Sequence, residues 1–140
     1  MRSKVYTDWR RLKDLKQKQL KANLVQQDSL PILDAAVYGQ LRADVGADAM
    51  PVLMEALQRE LYTSSATIVS TLESGDLALL ETTAHALKSS AASFGAMRLS
   101  AVCLKLESAA RDRKDQSEIE QLLPALDFAV KEASALFGFK

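Results

Sequence analysis

Apolar residues recur along this chain at the three- and four-residue spacing of amphipathic helices. No Asn-Gly or Asp-Gly turn joins alternating apolar runs, so the signals for strands are weak. Residues 3–25 carry a thin stripe of Val5, Trp9, Leu12, Leu15 and Leu20 and read as a helix, ended by Asp28-Ser29-Leu30-Pro31. Residues 32–43 read as a short helix with Ile32, Leu33, Ala36, Val37 and Leu41 on its apolar side, ending at Val45-Gly46. A long helix runs from there to about Glu73, with Asp48 as its cap, Pro51 in its first turn, and Leu53, Leu57, Leu61, Ile68 and Leu72 inward. Ser74-Gly75 stops it, and Asp76 can cap the next.

The next helix, about 76–94, has the cleanest stripe: Leu80, Ala84, Leu87, Ala91 and Phe94. Gly95 can take the left-handed position that closes it. A helix over 97–110 turns Leu99, Val102, Cys103 and Leu106 inward, and a charged turn at 111–116 leads into a last helix over 117–136. That helix places Ile119, Leu122, Leu123, Leu126, Val130, Ala133 and Phe137 inward, with Pro124 bending or delaying it. Four long amphipathic helices on short turns close most simply as an all-α antiparallel four-helix bundle, with the short segment 32–43 packed across one end.

Length and composition agree with this picture. The 140 residues suffice for one domain with a hydrophobic core, and the low aromatic content of 6% makes that core mainly Leu, Ala and Val. One cysteine, Cys103, excludes a disulfide framework or a thiolate zinc site within the chain. No apolar run is long enough for a bilayer, and Met1-Arg2-Ser3-Lys4 is followed by polar residues and not by a signal-peptide core, so the expected setting is soluble and cytoplasmic, with no membrane partner. The zero net charge is unevenly distributed: residues 1–27 hold eight Lys/Arg against two Asp, a net of +6, and residues 28–140 a net of −6. An acidic body argues against nucleic-acid binding. The chain therefore divides into a basic arm, 1–30, and a bundle domain, 31–140.

His85, the sole histidine, lies off the buried stripe of its helix. At about 100° per residue, Glu81, Ser89 and Ala92 fall within roughly 40° of it and Lys88 within roughly 60°. A core histidine would belong on the stripe; this one belongs on the flank that faces solvent. Ser89, Ala92 and Ser93 are small and leave a clearing beside the ring. Phosphoryl transfer to imidazole needs a ring nitrogen lone pair that can be reached in line. A phosphohistidine would carry about two negative charges by analogy with other phosphorylated side chains. Lys88 can offset part of that charge, and Ser89 can donate a hydrogen bond. The second ring nitrogen needs an acceptor that fixes its tautomer, for which Glu107 on the following helix and Glu81 one turn earlier are both candidates.

The run His85-Ala86-Leu87-Lys88-Ser89-Ser90-Ala91-Ala92-Ser93-Phe94-Gly95-Ala96 resembles the signature of histidine-containing phosphotransfer domains, His-x-Leu-Lys-Gly/Ser followed by small residues and Gly-Ala. Leu104-Lys105-Leu106-Glu107-Ser108-Ala109-Ala110-Arg111 resembles the family's next helix. The likeness covers about 32–137. Within the family the chain is most similar to the stand-alone members of bacterial quorum-sensing relays, on the residues from Ser89 to Gly95 and from Val45 to Leu53. It departs at Ser89, where glycine is usual, and it lacks the glutamine that many members place on the helix after the histidine.

The resemblance implies a phosphorelay. The aspartate of a receiver domain on a hybrid sensor histidine kinase would give its phosphoryl group to His85, which would pass it to the receiver aspartate of a response regulator. It implies no resident cofactor or metal, since Mg²⁺ would sit on the partner receiver. No nucleotide-binding fingerprint is present, so no ATP-dependent kinase activity is expected. The protein is expected to be a monomer. The competing reading is a helical adaptor that binds partner proteins without phosphate. A di-metal bundle enzyme would need two Glu-x-x-His pairs, and a single histidine cannot supply them.

Overall fold

The computed structural model describes residues 30–139. The expected helix over 3–25 and nearly all of the basic arm lie outside the described residues. Among the described residues six helices and no strand occur: α1 (Ala35–Val45), α2 (Met50–Ser74), α3 (Leu77–Ser93), α4 (Met97–Arg111), α5 (Gln116–Glu120) and α6 (Leu123–Phe137). The four long helices α2, α3, α4 and α6 form the bundle. Helix α3 packs most extensively on α4 and next on α2, and α6 closes the ring against α4 and α2.

Local chemistry sets most of the boundaries. Asp34 caps α1, its carboxylate accepting from the amides of Ala36 and Val37 at 3.1 and 3.2 Å. Asp76 caps α3 in the same way through the amide of Leu79 at 3.1 Å. Asp48 does not cap α2. The amide of Met50 instead reaches the carbonyl of Gly46, and that of Leu53 the carbonyl of Ala49, so backbone acceptors satisfy donors expected to fall to a side chain. Gly95 ends α3 at φ +82°, with its own amide on Ala92 and that of Ala96 on Ala91, the paired bonds of a left-handed helix stop.

The stripe of α3 is buried in full. Leu80, Ala84, Leu87 and Ala91 have no exposed surface, and Phe94 is nearly covered. Each such leucine contributes roughly 1.5–3 kcal/mol by burial. Leu57, Leu61, Ile68 and Leu72 on α2 and Leu99, Val102, Cys103 and Leu106 on α4 meet it, and Leu53 packs against this core partly buried.

The expected single helix over 117–136 is two helices. A ring at Pro124 would clash with the carbonyl one turn earlier, and the chain breaks at Gln121-Leu122, leaving Pro124 in the first turn of α6. The expected side of α6 still faces the bundle, and Ala125 and Ala129 join it. Ala125, Leu126, Ala129 and Ala133 are buried, whereas Leu122, Leu123, Val130 and Phe137 are only partly so.

Helix α1 docks at the end of the bundle where α3 turns into α4. The amide of Asp34 donates to the carbonyl of Gly95 at 2.7 Å, and a Cβ on Gly95 would come within 2.7 Å of the Asp34 carbonyl oxygen. Phe137 stacks on Tyr38 and meets Phe94 edge-on, sealing the same end. Ile32 and Ala36, expected inward, are exposed, because this segment touches the bundle through Leu33, Val37, Tyr38 and Leu41.

Candidate functional site

His85 lies midway along α3, and its side chain is 58% exposed. The helix turns its apolar stripe inward, so the position falls on the flank beside α4. Helix α4 runs antiparallel to α3: Glu81 meets Arg111, His85 and Lys88 meet Glu107, and the hydroxyl of Ser100 donates to the carbonyl of Lys88 at 3.2 Å. This register brings to His85 a residue 22 positions further along the chain.

That residue is Glu107, whose side chain is 3% exposed. Three donors meet its carboxylate. His85 Nδ1 lies 2.6 Å from Oε2, Lys88 Nζ 2.6 Å from Oε1, and Arg111 Nη2 3.1 Å from Oε2. Cys103, one turn earlier on α4, is a buried thiol that feels the Glu107 charge. The hydrogen bond from the Lys88 ammonium, aided by that from His85, holds the Glu107 carboxyl below the usual carboxylate range despite its burial. An ionised carboxylate only accepts hydrogen bonds, so His85 Nδ1 carries the proton and donates it to Oε2. In the neutral ring the lone pair is therefore on Nε2, on the side turned away from Glu107.

The two candidates for holding the ring are thus distinguished. Glu107 bonds the ring, and Glu81 pairs with Arg111 Nε at 3.1 Å. Arg111 is a member of the cluster that sequence reasoning missed. Its position four residues after Glu107 on one helix was the available signal. Lys88, assigned to a phosphate, is committed here to Glu107. The hydroxyls of Ser89 and Ser93 are turned back onto their own helix, donating to the carbonyls of His85 at 3.1 Å and Ser89 at 3.0 Å. Ser89 and Ser93 are exposed and Ala92 half-buried, so the surface beside Nε2 is low and free of bulky side chains. Leu104 is a large apolar side chain exposed on the flank of α4 that also carries Glu107 and Arg111.

Among the described residues no three His, Cys, Asp or Glu side chains converge as a metal site, and no helix is long and apolar enough to cross a membrane. The arrangement offers an imidazole nitrogen facing outward, with the ring's N–H held on its other nitrogen by a buried carboxylate and a cation within a side chain's reach.

Comparison with known proteins points the same way. Residues 44–136 match the Hpt domain family. The phosphorelay protein LuxU of Vibrio vulnificus is 31% identical over 98 residues, covering 70% of this chain and 85% of the relative. LuxU of Vibrio cholerae is 38% identical over 89 residues, covering 61% of this chain and 79% of the relative. The crystal structure of histidine-containing phosphotransfer protein B from Pseudomonas aeruginosa superposes with a TM-score of 0.71 at 28% identity, over 77% of this chain and 92% of that one.

Proposed function

The chain belongs to the Hpt domain family and is a histidine-phosphotransfer intermediate of a phosphorelay, and from that premise we propose that His85 Nε2 is the atom that carries the phosphoryl group. The observation that supports this is the pairing of Nδ1 with Glu107, which leaves Nε2 exposed on a surface of small residues. Aspartyl phosphate on the receiver domain of a hybrid sensor kinase is the donor, and the aspartate of a response-regulator receiver is the acceptor. The Mg²⁺ these transfers need belongs to the receivers. The protein works as a carrier in the cytoplasm and does not phosphorylate itself from ATP. By likeness to the Vibrio relatives its relay is one for quorum sensing.

Each neighbour has a task in this reading. Ser89, Ala92 and Ser93 keep the approach to Nε2 clear. Glu107 aims the ring, and Arg111 with Glu81 braces Glu107 from the far side. Lys88 has a flexible stem and can turn its ammonium from Glu107 Oε1 to a phosphoryl oxygen, where it would offset charge in a charge-assisted bond. Leu104 gives a docking receiver an apolar contact at the rim.

The test is a transfer assay. The purified protein is phosphorylated with phosphoramidate, an acid-labile adduct is confirmed by intact mass, and a receiver domain with Mg²⁺ is added. Loss of the adduct to the receiver, with no adduct formed on His85→Ala, is the expected result. A wild-type protein that takes no acid-labile phosphate, or a His85→Ala variant labelled as well as wild type, would remove His85 from the reading.

A further inference from the structure

We infer that Glu107 keeps the proton on His85 Nδ1 through both halves of the relay, so that neither transfer has to move a proton. The inference rests on Nε2 being the phosphorylated atom. Its basis is the contact at 2.6 Å between Nδ1 and a carboxylate that is 3% exposed. Were phosphorylation of Nε2 accompanied by loss of the Nδ1 proton, a ring lone pair would face a carboxylate oxygen at hydrogen-bond distance. Two acceptors repel at that separation, and Glu107 has almost no water to turn to. Retaining the proton avoids this, and it places the positive ring beside a fixed negative charge.

Electrons and protons balance at each transfer. In the first, the Nε2 lone pair forms the N–P bond while the P–O bond of the donor aspartyl phosphate breaks, its electron pair leaving on the carboxylate. The ring becomes an imidazolium paired with Glu107. In the second transfer an aspartate oxygen attacks phosphorus, the N–P bond breaks, and its electron pair returns to Nε2. The leaving group is a neutral imidazole and not an imidazolate, which makes the phosphohistidine a ready donor. Glu107 touches no reacting atom and is a positioning residue. The charged and titratable groups facing it are His85, Lys88 and Glu81 on α3, Arg111 and Cys103 on α4 and, across Cys103, Glu60 on α2. As the ring takes on its positive charge, Lys88 can leave Oε1 without stranding the carboxylate.

The experiment uses the full chain with ¹⁵N-labelled histidine, phosphorylated with phosphoramidate, in wild type and in the isosteric Glu107→Gln. Nitrogen NMR identifies the phosphorylated atom and tracks protonation of the other nitrogen against pH. The expected result is phosphate on Nε2 in both proteins, with the Nδ1 proton of the wild-type phosphoprotein held to a pH about 1–3 units higher than in Glu107→Gln, the range for an opposite charge in contact. Hydrolysis of the phosphoryl group at mildly alkaline pH should accordingly be slower in Glu107→Gln. Coincident titrations in the two proteins, or a wild-type phosphoprotein lacking the Nδ1 proton at neutral pH, would overturn the inference and leave His85 as the acceptor. Phosphate on Nδ1, or no phosphohistidine in the wild type, would overturn the underlying reading with it. The wild-type titration does not depend on how well the variant folds.

Discussion

Among the described residues, two ion-paired clusters that bridge helices of the bundle differ in what they leave uncovered. In one, Arg98 of α4 donates to Glu132 of α6 at 3.1 Å and to the carbonyl of Leu30 at 2.7 Å. Both side chains are largely covered, at 15% and 14% exposure, so every strong group points inward or at a partner. In the other, Glu107 is more deeply buried still, but one of its donors is an imidazole with a second nitrogen on its far side. The first cluster can only hold parts together. The second holds and at the same time aims a lone pair at solvent. The ability to react comes from the two-ended chemistry of histidine, and the buried carboxylate decides which end is available.

The sharpest break in this comparison is chemical. His85→Ala should abolish uptake of phosphate from phosphoramidate and leave the far-ultraviolet circular dichroism unchanged, because an exposed flank position contributes little to the core. Arg98→Ala should do the reverse. It should label normally and lose about 1–3 kcal/mol, the cost of leaving Glu132 unpaired in partial burial, as read from urea unfolding. If Arg98→Ala also failed to label while folded, the two clusters would not be separable.

On the same helix as His85, a half-turn away, Leu87→Ala tests the other face. The side chain is fully buried, so truncation should cost about 2–5 kcal/mol. The folded fraction should still take phosphate at the wild-type rate. Loss of labelling in the folded protein would show that the acceptor needs more than a correctly turned ring.

These two faces were not equally legible in the sequence. The stripe of Leu80, Ala84, Leu87 and Ala91 is local and periodic, and it fixed both the burial of α3 and the outward placement of His85. Gly95 was legible as a helix stop for the same reason. Its second task, admitting the Asp34 backbone within van der Waals contact, depends on a segment 61 positions earlier and has no local signature. The partner of the ring was narrowed to Glu81 or Glu107 and no further. Choosing between them needs the register of α3 against α4, which is set by how their stripes interlock and not by either stripe alone. Arg111 illustrates the same limit. Its spacing from Glu107 was visible, but a charged residue at the start of a charged turn reads as solvated until the antiparallel partner places Glu81 beside it. The break at Gln121-Leu122 was foreshadowed by Pro124, yet the burial of Ala125 and Ala129 beside the expected residues depends on where the chain re-enters the bundle.

Acid should dissolve the aimed cluster in a defined direction. Lys88, and then His85, hold the Glu107 carboxyl below its ordinary value, so the folded state binds that proton less readily than the unfolded chain. Its contribution to stability is then complete above the unfolded carboxyl value of about 4.3 and is lost as pH falls through the lower folded value. Unfolding curves of wild type and Glu107→Gln should therefore differ near neutral pH and converge in acid. A difference that stayed constant down to strongly acidic pH would mean that the Glu107 charge adds nothing to the fold.

The smallest expected effect concerns the buried thiol near the aimed cluster. Cys103 lies one turn before Glu107 on α4, and burial first, then the nearby Glu60 and Glu107 carboxylates, push its thiol up to about 12. The thiolate is the reactive form, so in the native protein a thiol reagent at about pH 8 should label Cys103 only as fast as the bundle opens, and at once in denaturant. Arg98→Ala should speed this labelling in proportion to its loss of global stability. Glu107→Gln removes one of the charges that disfavour the thiolate, but burial remains the larger cause, so its labelling should rise no more than its stability loss explains. Fast labelling of the wild type would mean that water reaches the space beneath Glu107. A solvated carboxylate could trade His85 Nδ1 for water, and nothing would then commit the ring to presenting Nε2.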